Sequence, residues 1–223
     1  MKISPSTKLN GSITVPPDKS ISHRAFILSG IAKKTSTIQN ILESDDVKTS
    51  LATMQKLGVG FSGNFEKMTI SPFTKPKSSH LYCGNSGTTT RLVSGLVSAY
   101  EGSYEFSGDE SLTTRPMERI SMPLTRMGSA FTWKGKKGYL PYIIEGGTLK
   151  GIIYENVKKS AQVKSAILLA GLKAEGSTII YEKTKTRDHT ERLLSQMGAD
   201  IKIEDDKIEV HPSEIDGITM TIP

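Results

Sequence analysis

The chain is poor in several residue types that particular classes of protein require. It has one cysteine, Cys83, among 223 residues, which excludes an internal disulfide and a zinc cluster built on cysteines. Aromatic residues make up only 6% of the chain, whereas proteins that bind single-stranded nucleic acid stack bases on aromatic side chains. No apolar run reaches the roughly 20 residues that cross a bilayer, and residues 1–5 lack the apolar stretch of a signal peptide. We therefore expect a cytoplasmic protein with no membrane partner.

Nucleotide and metal motifs are also missing or out of place. No GxxxxGK[ST] element is present, so phosphoryl transfer on a P-loop is unsupported. Gly58–Gly63 has the spacing GxGxxG, but it follows a predicted helix and enters a strand, the reverse of a dinucleotide-binding fold. Gly58 is better interpreted as a helix C-cap. His23, His80 and His211 show no metal-ligand spacing with carboxylates or cysteine, so we predict no metal.

The charge balance indicates what kind of partner the chain binds. The formal net charge is +6 and the sequence pI is about 9.2, which favours an acidic partner, either a phosphorylated metabolite or a nucleic acid. Alternatively, the surplus lysines only keep the surface soluble, and the short cluster at 134–137 is of that kind. Because aromatic residues are scarce, we expect small anionic molecules and no nucleic acid as partners.

Three stretches of the sequence begin alike, and each leads from residues suited to phosphate into an apolar run. Their leading serines are 66 and 74 residues apart, which indicates a three-fold repeat of one supersecondary unit. In each unit a second helix is predicted to end at a glycine. The three stretches are Lys19–Arg24, Asn85–Arg91 and Lys159–Lys164. The predicted order βαβαββ, three times over, implies an α/β fold in which sheets surround the first helix of each unit.

Local patterns place the individual elements. An apolar run predicts a first helix over 19–32, and apolar residues at helical spacing predict a second helix from Asp45. Further helices are predicted from about Thr88 and over Pro116–Met127, with Pro116 at the first helical position. The segment 3–15 is predicted to be extended, and 72–79 is predicted to be a linker.

The three helix starts can converge on one anionic ligand, because free backbone N–H groups and the helix dipole favour negative charge there. Arg24 lies about one turn beyond Ser20, so both side chains can lie on the same face at the start of the helix. Gly87 lets a ligand approach bare backbone. Ordinary capping is the alternative for each start, with Ser20 as a simple N-cap. Likewise, Asp188 and Glu191 have the spacing of a capping box.

The motifs together resemble a known family. Five segments occur in its order: Pro17–Arg24, Gly84–Arg91, Arg115–Met117, Ser160–Gln162 and Arg187–Glu191. This set closely resembles the 5-enolpyruvylshikimate-3-phosphate synthases, also called 3-phosphoshikimate 1-carboxyvinyltransferases. The resemblance implies an inside-out α/β barrel with three βαβαββ units per domain. It further implies that residues 1–18 are a leading strand and crossover belonging with a second domain. Residues 19–223 would form the shikimate 3-phosphate-binding domain, with repeats at about 19–80, 81–150 and 151–223.

The resemblance also implies a reaction and roles for individual residues. The enolpyruvyl group of phosphoenolpyruvate would pass to the 5-hydroxyl of shikimate 3-phosphate, with release of phosphate and no cofactor. Lys19 would touch both substrates and act in proton transfer, and Gln162 would reach both. The residues implied for shikimate 3-phosphate are Ser20, Arg24, Ser160, Ala161 and Arg187. Those implied for phosphoenolpyruvate are Asn85, Gly87 and Arg115.

The chain has about half the length expected for this family. The resemblance assigns an acidic pair for proton transfer, and further basic residues, to the second half. We therefore expect a monomeric N-terminal domain that binds shikimate 3-phosphate weakly and is inactive without its C-terminal domain. Two alternatives stay open: a domain like that of the UDP-N-acetylglucosamine enolpyruvyl transferases, and a non-catalytic nucleic-acid-binding repeat domain.

Overall fold

Three units of similar architecture follow one another along the chain. The computed structural model describes residue 8 and residues 10–223. The first unit contains α1 (Lys19–Ser29), β1 (Ser36–Gln39), α2 (Asp45–Leu57), β2 (Gly60–Gly63) and β3 (Lys67–Ser71). The second contains β4 (Ser79–Tyr82), α3 (Gly87–Ser98), β5 (Gly102–Ser107), α4 (Glu110–Thr113), α5 (Glu118–Met127), β6 (Ala130–Trp133) and β7 (Tyr142–Gly146). The third contains β8 (Ile153–Glu155), α6 (Ala161–Gly171), β9 (Thr178–Tyr181), α7 (His189–Gln196), β10 (Ile201–Ile203) and β11 (Lys207–Val210), followed by β12 (Thr219–Thr221).

The strands form three four-stranded sheets of the same topology, one for each unit. The strand orders are β12-β1-β3-β2, β4-β5-β7-β6 and β8-β9-β11-β10. In every sheet the first two strands are parallel and the remaining neighbours are antiparallel. The predicted α/β repeat of βαβαββ units is therefore confirmed.

The last strand does not remain with the third unit. β12 pairs in parallel with β1, with Met220 opposite Ile38, and occupies the place that β4 and β8 hold in their sheets. The backbone N–H of Asp18 donates to the carbonyl of Pro223 at 2.9 Å. The sheet of the third unit therefore ends with β11. β4 begins at Ser79, the last residue of the predicted linker 72–79.

The first helix of each unit is buried, as its apolar run predicted. In α3, 11 of the 12 residues are buried, and α6 is almost as enclosed. Each sheet shields these helices with one face, as the alternating burial of β1 and β9 shows. The N-terminal ends of α3 and α6 lie on the same side, because each helix connects two parallel neighbouring strands, β4 to β5 and β8 to β9. The start of α1 takes the equivalent place, next to the end of β12.

The helix ends show which local predictions were correct. Gly58 and Gly128 are C-caps with φ of 109° and 115°, a left-handed conformation that favours glycine. Since Gly58 ends α2 and precedes β2, the GxGxxG spacing is not a dinucleotide site. Pro116 precedes the N-cap of α5, Met117, so it is not the first helical residue.

The segment before α1 is largely exposed where the structure describes it. Six of the 13 residues of the predicted extended segment 3–15 lie outside the described residues, which omit 1–7 and 9. Residues 10–18 contain no strand, and Ile13 and Val15 are 89% and 68% exposed. Within the described chain, no helix combines the length and apolar character needed to span a membrane.

The N-cap of α1 is Asp18, not Ser20. The Asp18 carboxylate accepts a hydrogen bond from the backbone N–H of Ile21 at 2.7 Å, while Ser20 lies inside the helix. Removal of such a cap costs about 1 kcal/mol. We therefore expect Asp18→Ala to lower the free energy of unfolding by about 1 kcal/mol in urea denaturation. Ser20→Ala should change it by less than about 0.5 kcal/mol; the opposite ranking would assign the cap to Ser20.

Candidate functional site

The N-terminal ends of α3 and α6 are joined by side chains. Gln162 donates from Nε2 to the Thr88 hydroxyl at 3.0 Å. Its Oε1 accepts from Arg91 Nη1 at 2.9 Å. Gln162 is therefore fixed between two groups of α3, with both ends of its amide engaged.

Arg24 joins α1 to α6 and α7. Its Nε donates to the Thr190 hydroxyl at 2.6 Å, and its Nη2 donates to the Ser165 hydroxyl at 2.9 Å. A third bond runs from Nη1 to the carbonyl of Ser20 at 2.9 Å. The guanidinium, which has five N–H groups, is only 3% exposed. Burial lowers the pKa of Arg24 to about 10, so the group stays charged at neutral pH.

Arg187 and Lys19 lie at the exposed rim of the same region. Arg187 Nη1 donates to the Ser20 hydroxyl at 2.9 Å, so the structure brings these two predicted residues together. Lys19 is placed differently: its ammonium pairs with Asp46 of α2 at 2.9 Å, and its side chain is 52% exposed. A contact between Lys19 and an anionic ligand would have to compete with this ion pair.

Asn85 and Arg115 form the entry to α3. Arg115 Nη2 donates to Asn85 Oδ1, and its Nη1 donates to the Asn85 carbonyl at 3.3 Å. Asn85 in turn donates from Nδ2 to Asp109 at 2.9 Å. Hydrogen bonds from the Leu112 N–H and from Asn85 hold the pKa of Asp109 below its usual value. The turn at Asn85 therefore orients Arg115, and these two residues, both implied for phosphoenolpyruvate, lie together.

Gly87, the first residue of α3, lies directly beneath two guanidinium groups. A Cβ at this position would be 2.5 Å from Arg91 Nη1 and 3.6 Å from Arg115 Nη1. Arg91 is 8% exposed, and its Nε has no hydrogen-bond partner among the described residues. Burial, followed by the charges of Arg119 and Arg115, lowers the pKa of Arg91.

Arg91 was quoted in the sequence motif but not selected as a site residue. The signal that could have identified it is its position four residues after Gly87, because the same interval separates Ser20 from Arg24. Four residues are about one helical turn, which returns the side chain to the face of the helix start.

Ser160 and Ala161 begin α6 as predicted. The Ser160 hydroxyl caps the helix by accepting from the Val163 N–H at 3.4 Å. The Ser160 N–H donates to the side chain of Asn156 at 3.2 Å, and the Ala161 carbonyl accepts from the Ser165 hydroxyl at 2.7 Å. Through Ser165, Ala161 is linked to Arg24.

A chain of buried polar groups connects α1 with α3. His23 Nδ1 lies 2.6 Å from the Ser50 hydroxyl, Ser50 lies 2.7 Å from the Thr89 hydroxyl, and Thr89 lies 2.6 Å from the Ser86 hydroxyl. Ser86 is the N-cap of α3. Burial lowers the pKa of His23 to about 4, so its imidazole is neutral at neutral pH.

The capping box considered for α7 is not formed. Asp188 makes no side-chain capping bond, and Glu191 is buried against Lys164, with 2.6 Å between Nζ and Oε1. Lys164 also pairs with Glu182 at 2.6 Å. Sequence reasoning did not select this buried ion cluster, because its members come from three separate elements.

The remaining candidates for chemistry are inert or dispersed. Cys83 is fully buried, and burial raises its pKa to about 12, so its thiol is neither accessible nor ionised. In the part of the chain that the structure describes, no group of three or more His, Cys, Asp or Glu side chains is arranged to hold a metal.

Comparisons with known proteins identify the family of the chain. The family model described as EPSP synthase (3-phosphoshikimate 1-carboxyvinyltransferase) matches residues 3–223. A 3-phosphoshikimate 1-carboxyvinyltransferase of Thermotoga neapolitana is 46% identical over 100% of this chain and 53% of the relative. One from Bacillus velezensis is 43% identical over 90% of this chain and 48% of its own length.

The solved structure of EPSP synthase from Acinetobacter baumannii gives the same result for the fold. It superposes with a TM-score of 0.89 and 43% identity, over 96% of this chain and 49% of that chain. The chain spans about half the length of the curated relatives that it matches. The family match favours the first of the two enolpyruvyl transferase families considered from the sequence. The chain belongs to the EPSP synthase family and has the fold of one of its domains.

Proposed function

We propose that this chain provides the shikimate 3-phosphate-binding half of a 3-phosphoshikimate 1-carboxyvinyltransferase. The whole enzyme would transfer the enolpyruvyl group of phosphoenolpyruvate to the 5-hydroxyl of shikimate 3-phosphate and release phosphate. Family membership supports this proposal, because the relatives carry that activity in their names. Residues 1–18 would belong with the second domain, and residues 19–223 would form the substrate-binding domain.

One observation carries the proposal for this chain's own residues. Each of the three buried helices has a buried cation near its N-terminal end: Arg24, Arg91 and Lys164 are 3%, 8% and 1% exposed. Lys164 is paired with carboxylates. Among the described residues, Arg24 and Arg91 are instead bound by hydroxyl, carbonyl and amide oxygens. Buried cations beside helix N-termini raise the free energy unless an anion joins them, which favours a polyanionic ligand.

The proposed contacts divide between two sides of the site. Ser20, Arg24, Arg187 and Ala161 are hydrogen-bonded to one another directly or through Ser165, and together with Ser160, the N-cap of α6, they would hold shikimate 3-phosphate. Asn85, Gly87 and Arg115 would line the phosphoenolpyruvate side. Gln162 would reach both substrates, and Lys19 would leave Asp46 to contact both and to move a proton. Fixed cations would lower the repulsion between two anionic substrates.

We expect this chain to bind shikimate 3-phosphate without catalysing the reaction. General acid–base catalysis requires groups within hydrogen-bond reach of the reacting atoms, and the family resemblance assigns the acidic pair to the other half. We expect calorimetric titration with shikimate 3-phosphate to show saturable binding, and a steady-state assay with both substrates to release no phosphate. Phosphate release that depends on both substrates would overturn the expectation of an inactive half.

The same titration tests the nucleic-acid alternative. A small-molecule site of a few charged contacts has a shallow salt dependence, whereas an oligonucleotide that displaces many counterions has a steep one. We expect binding of shikimate 3-phosphate and no specific binding of a single-stranded oligonucleotide across a salt series. If shikimate 3-phosphate does not bind and the oligonucleotide binds with a steep salt dependence, nucleic-acid binding would replace the proposed function.

Gly87→Ala tests the phosphoenolpyruvate side. The new Cβ would be 2.5 Å from Arg91 Nη1, so this guanidinium must move, and its bond to Gln162 must lengthen or break. Because the affected atoms are the end of a flexible side chain, stability should change by less than about 1 kcal/mol. In the enzyme assembled with its second domain, we expect the KM for phosphoenolpyruvate to rise about tenfold, as for the loss of one charge-assisted hydrogen bond. Gly147→Ala is the control, because nothing lies within 4 Å of a Cβ added at Gly147. Equal KM values for the two variants would contradict the predicted displacement of Arg91.

A further inference from the structure

Lys164 is the most enclosed charged side chain of the three helix starts. Its side chain is 1% exposed, and its ammonium lies 2.6 Å from Glu182 Oε2 and 2.6 Å from Glu191 Oε1. An ammonium has three N–H donors, so two carboxylates take most of its capacity. A buried ion cluster of this kind contributes little net stability, which raises the question of what it holds in place.

Glu182 connects Lys164 to both loops that carry proposed ligands of shikimate 3-phosphate. Its Oε1 accepts from Asn156 Nδ2 at 2.8 Å and from the Thr186 hydroxyl at 2.6 Å. Its Oε2 accepts from the Thr186 N–H at 3.1 Å. Asn156 bonds the backbone N–H and carbonyl of Ser160, and Thr186 directly precedes Arg187. One carboxylate therefore fixes the start of α6 and the loop before α7.

Glu191 connects the same lysine to Arg24. It is the carboxylate whose charge acts most strongly on Arg24 and opposes the lowering of the Arg24 pKa by burial. Glu191 follows Thr190, whose hydroxyl accepts from Arg24. Lys164, Arg24 and the two carboxylates are thus buried together between α1, α6 and α7, with both carboxylates paired to Lys164 and the hydrogen bonds of Arg24 going to uncharged oxygens.

We propose that Lys164 is a positioning residue for shikimate 3-phosphate, acting through Glu182 on Ser160 and Arg187 and through Glu191 on Arg24. The inference rests on the proposed function and adds to it a residue that does not touch the substrate. The ring substrate carries both a carboxylate and a phosphate, and the cluster sets the separation between the backbone at Ser160 and the cations at Arg24 and Arg187.

Thr186 allows a test that does not depend on a variant with a broken buried ion pair. Thr186→Val removes the hydroxyl that bonds Glu182 and keeps the shape of the side chain, the N–H and the ion pair. Thr186→Ser restores a hydroxyl. Thr184→Val makes the same chemical change at an exposed position of the same loop. Lys164→Met, compared with Lys173→Met on an exposed lysine just beyond α6, tests the cluster itself.

The measurement is the dissociation constant of shikimate 3-phosphate by calorimetry, at a temperature where each variant is folded. We expect about tenfold weaker binding for Thr186→Val, and at least as large a loss for Lys164→Met. Thr186→Ser, Thr184→Val and Lys173→Met should bind within about twofold of the wild type. Amide hydrogen exchange should quicken at 184–188 in Thr186→Val without a global change.

The outcomes separate the two proposals. Equal binding by the wild type and Thr186→Val would overturn the positioning role and leave the proposed function intact. The same holds for equal losses in Thr186→Val and Thr186→Ser, because the hydroxyl would then not be responsible. If Lys164→Met does not fold, the Thr186 series decides. No binding by the wild-type chain would overturn both proposals.

Discussion

Gly95→Ala is expected to destabilise the protein by about 3 kcal/mol or more, the upper end of the cost of overpacking a core. Gly95 lies in α3 where this helix crosses α6. A Cβ at this position would overlap the carbonyl oxygen of Ala166 and come within 2.6 Å of its Cα. These are backbone atoms of a buried helix, so no side-chain rotation can relieve the contact. The two helices would have to separate, and the packing between them would be lost.

Urea denaturation of the variant and the wild type measures this effect. Gly135→Ala is the matched control, because Gly135 lies in an exposed turn with nothing within 4 Å of its would-be Cβ. The control should change the free energy of unfolding by less than about 0.5 kcal/mol. Equal midpoints and slopes for Gly95→Ala and Gly135→Ala would show that α3 and α6 are not in contact at this glycine. Because these helices carry Gly87, Arg91 and Gln162, their separation should also abolish binding of shikimate 3-phosphate.

Gly95 illustrates where prediction from the sequence ended. The start of α6 at Ser160 and the end of α2 at Gly58 were predictable because their signals are local: a serine before an apolar run, and a glycine after a helix. The contact of Gly95 with Ala166 joins residues in different repeats. The sequence indicates that α3 is buried but not which helix covers it, so nothing local distinguishes Gly95 from a destabilising glycine in a helix.

The edge strands show the same limit. β4 falls where the sequence predicted the end of a linker, because Ser79–Tyr82 contains a single buried residue, Leu81. β12 lies in the first sheet, although it is the last strand of the chain. A short edge strand has little hydrophobic pattern of its own, and its place is set by the neighbour that it pairs with.

In the candidate site, the residue types were predictable and their partners were not. The repeat predicted cations at the helix starts, and Arg24 and Arg91 are there. The hydroxyls that hold Arg24 belong to Ser165 and Thr190, which are 141 and 166 residues away in sequence. Lys164 looked like Arg24 in sequence, yet it is neutralised by carboxylates of two other elements.

His23 is expected to make the stability fall steeply as the pH decreases from about 6.5 to about 4. The imidazole is 1% exposed, and burial lowers its pKa from 6.5 to about 4 in the folded state. Asp46 raises this pKa, but Lys19 and Arg24 lower it. Its Nδ1 lies 2.6 Å from the Ser50 hydroxyl, and its Nε2 has no partner among the described residues. A proton on this ring would therefore be neither solvated nor hydrogen-bonded.

The sign follows from where the proton binds. Between pH 6.5 and pH 4 the unfolded chain binds a proton at His23 and the folded protein does not, so acid favours unfolding. The loss from this residue should approach about 3 kcal/mol at pH 4. His23→Asn keeps a polar group near Ser50 and removes the titration, so its free energy of unfolding should fall less between pH 7 and pH 4.5. His80→Asn, at an exposed histidine of β4, is the matched control, because it makes the same substitution outside the buried chain. Parallel pH profiles for the wild type and His23→Asn, measured by urea denaturation, would show that His23 is protonated in the folded protein, and that the buried chain from His23 to Ser86 tolerates a charge.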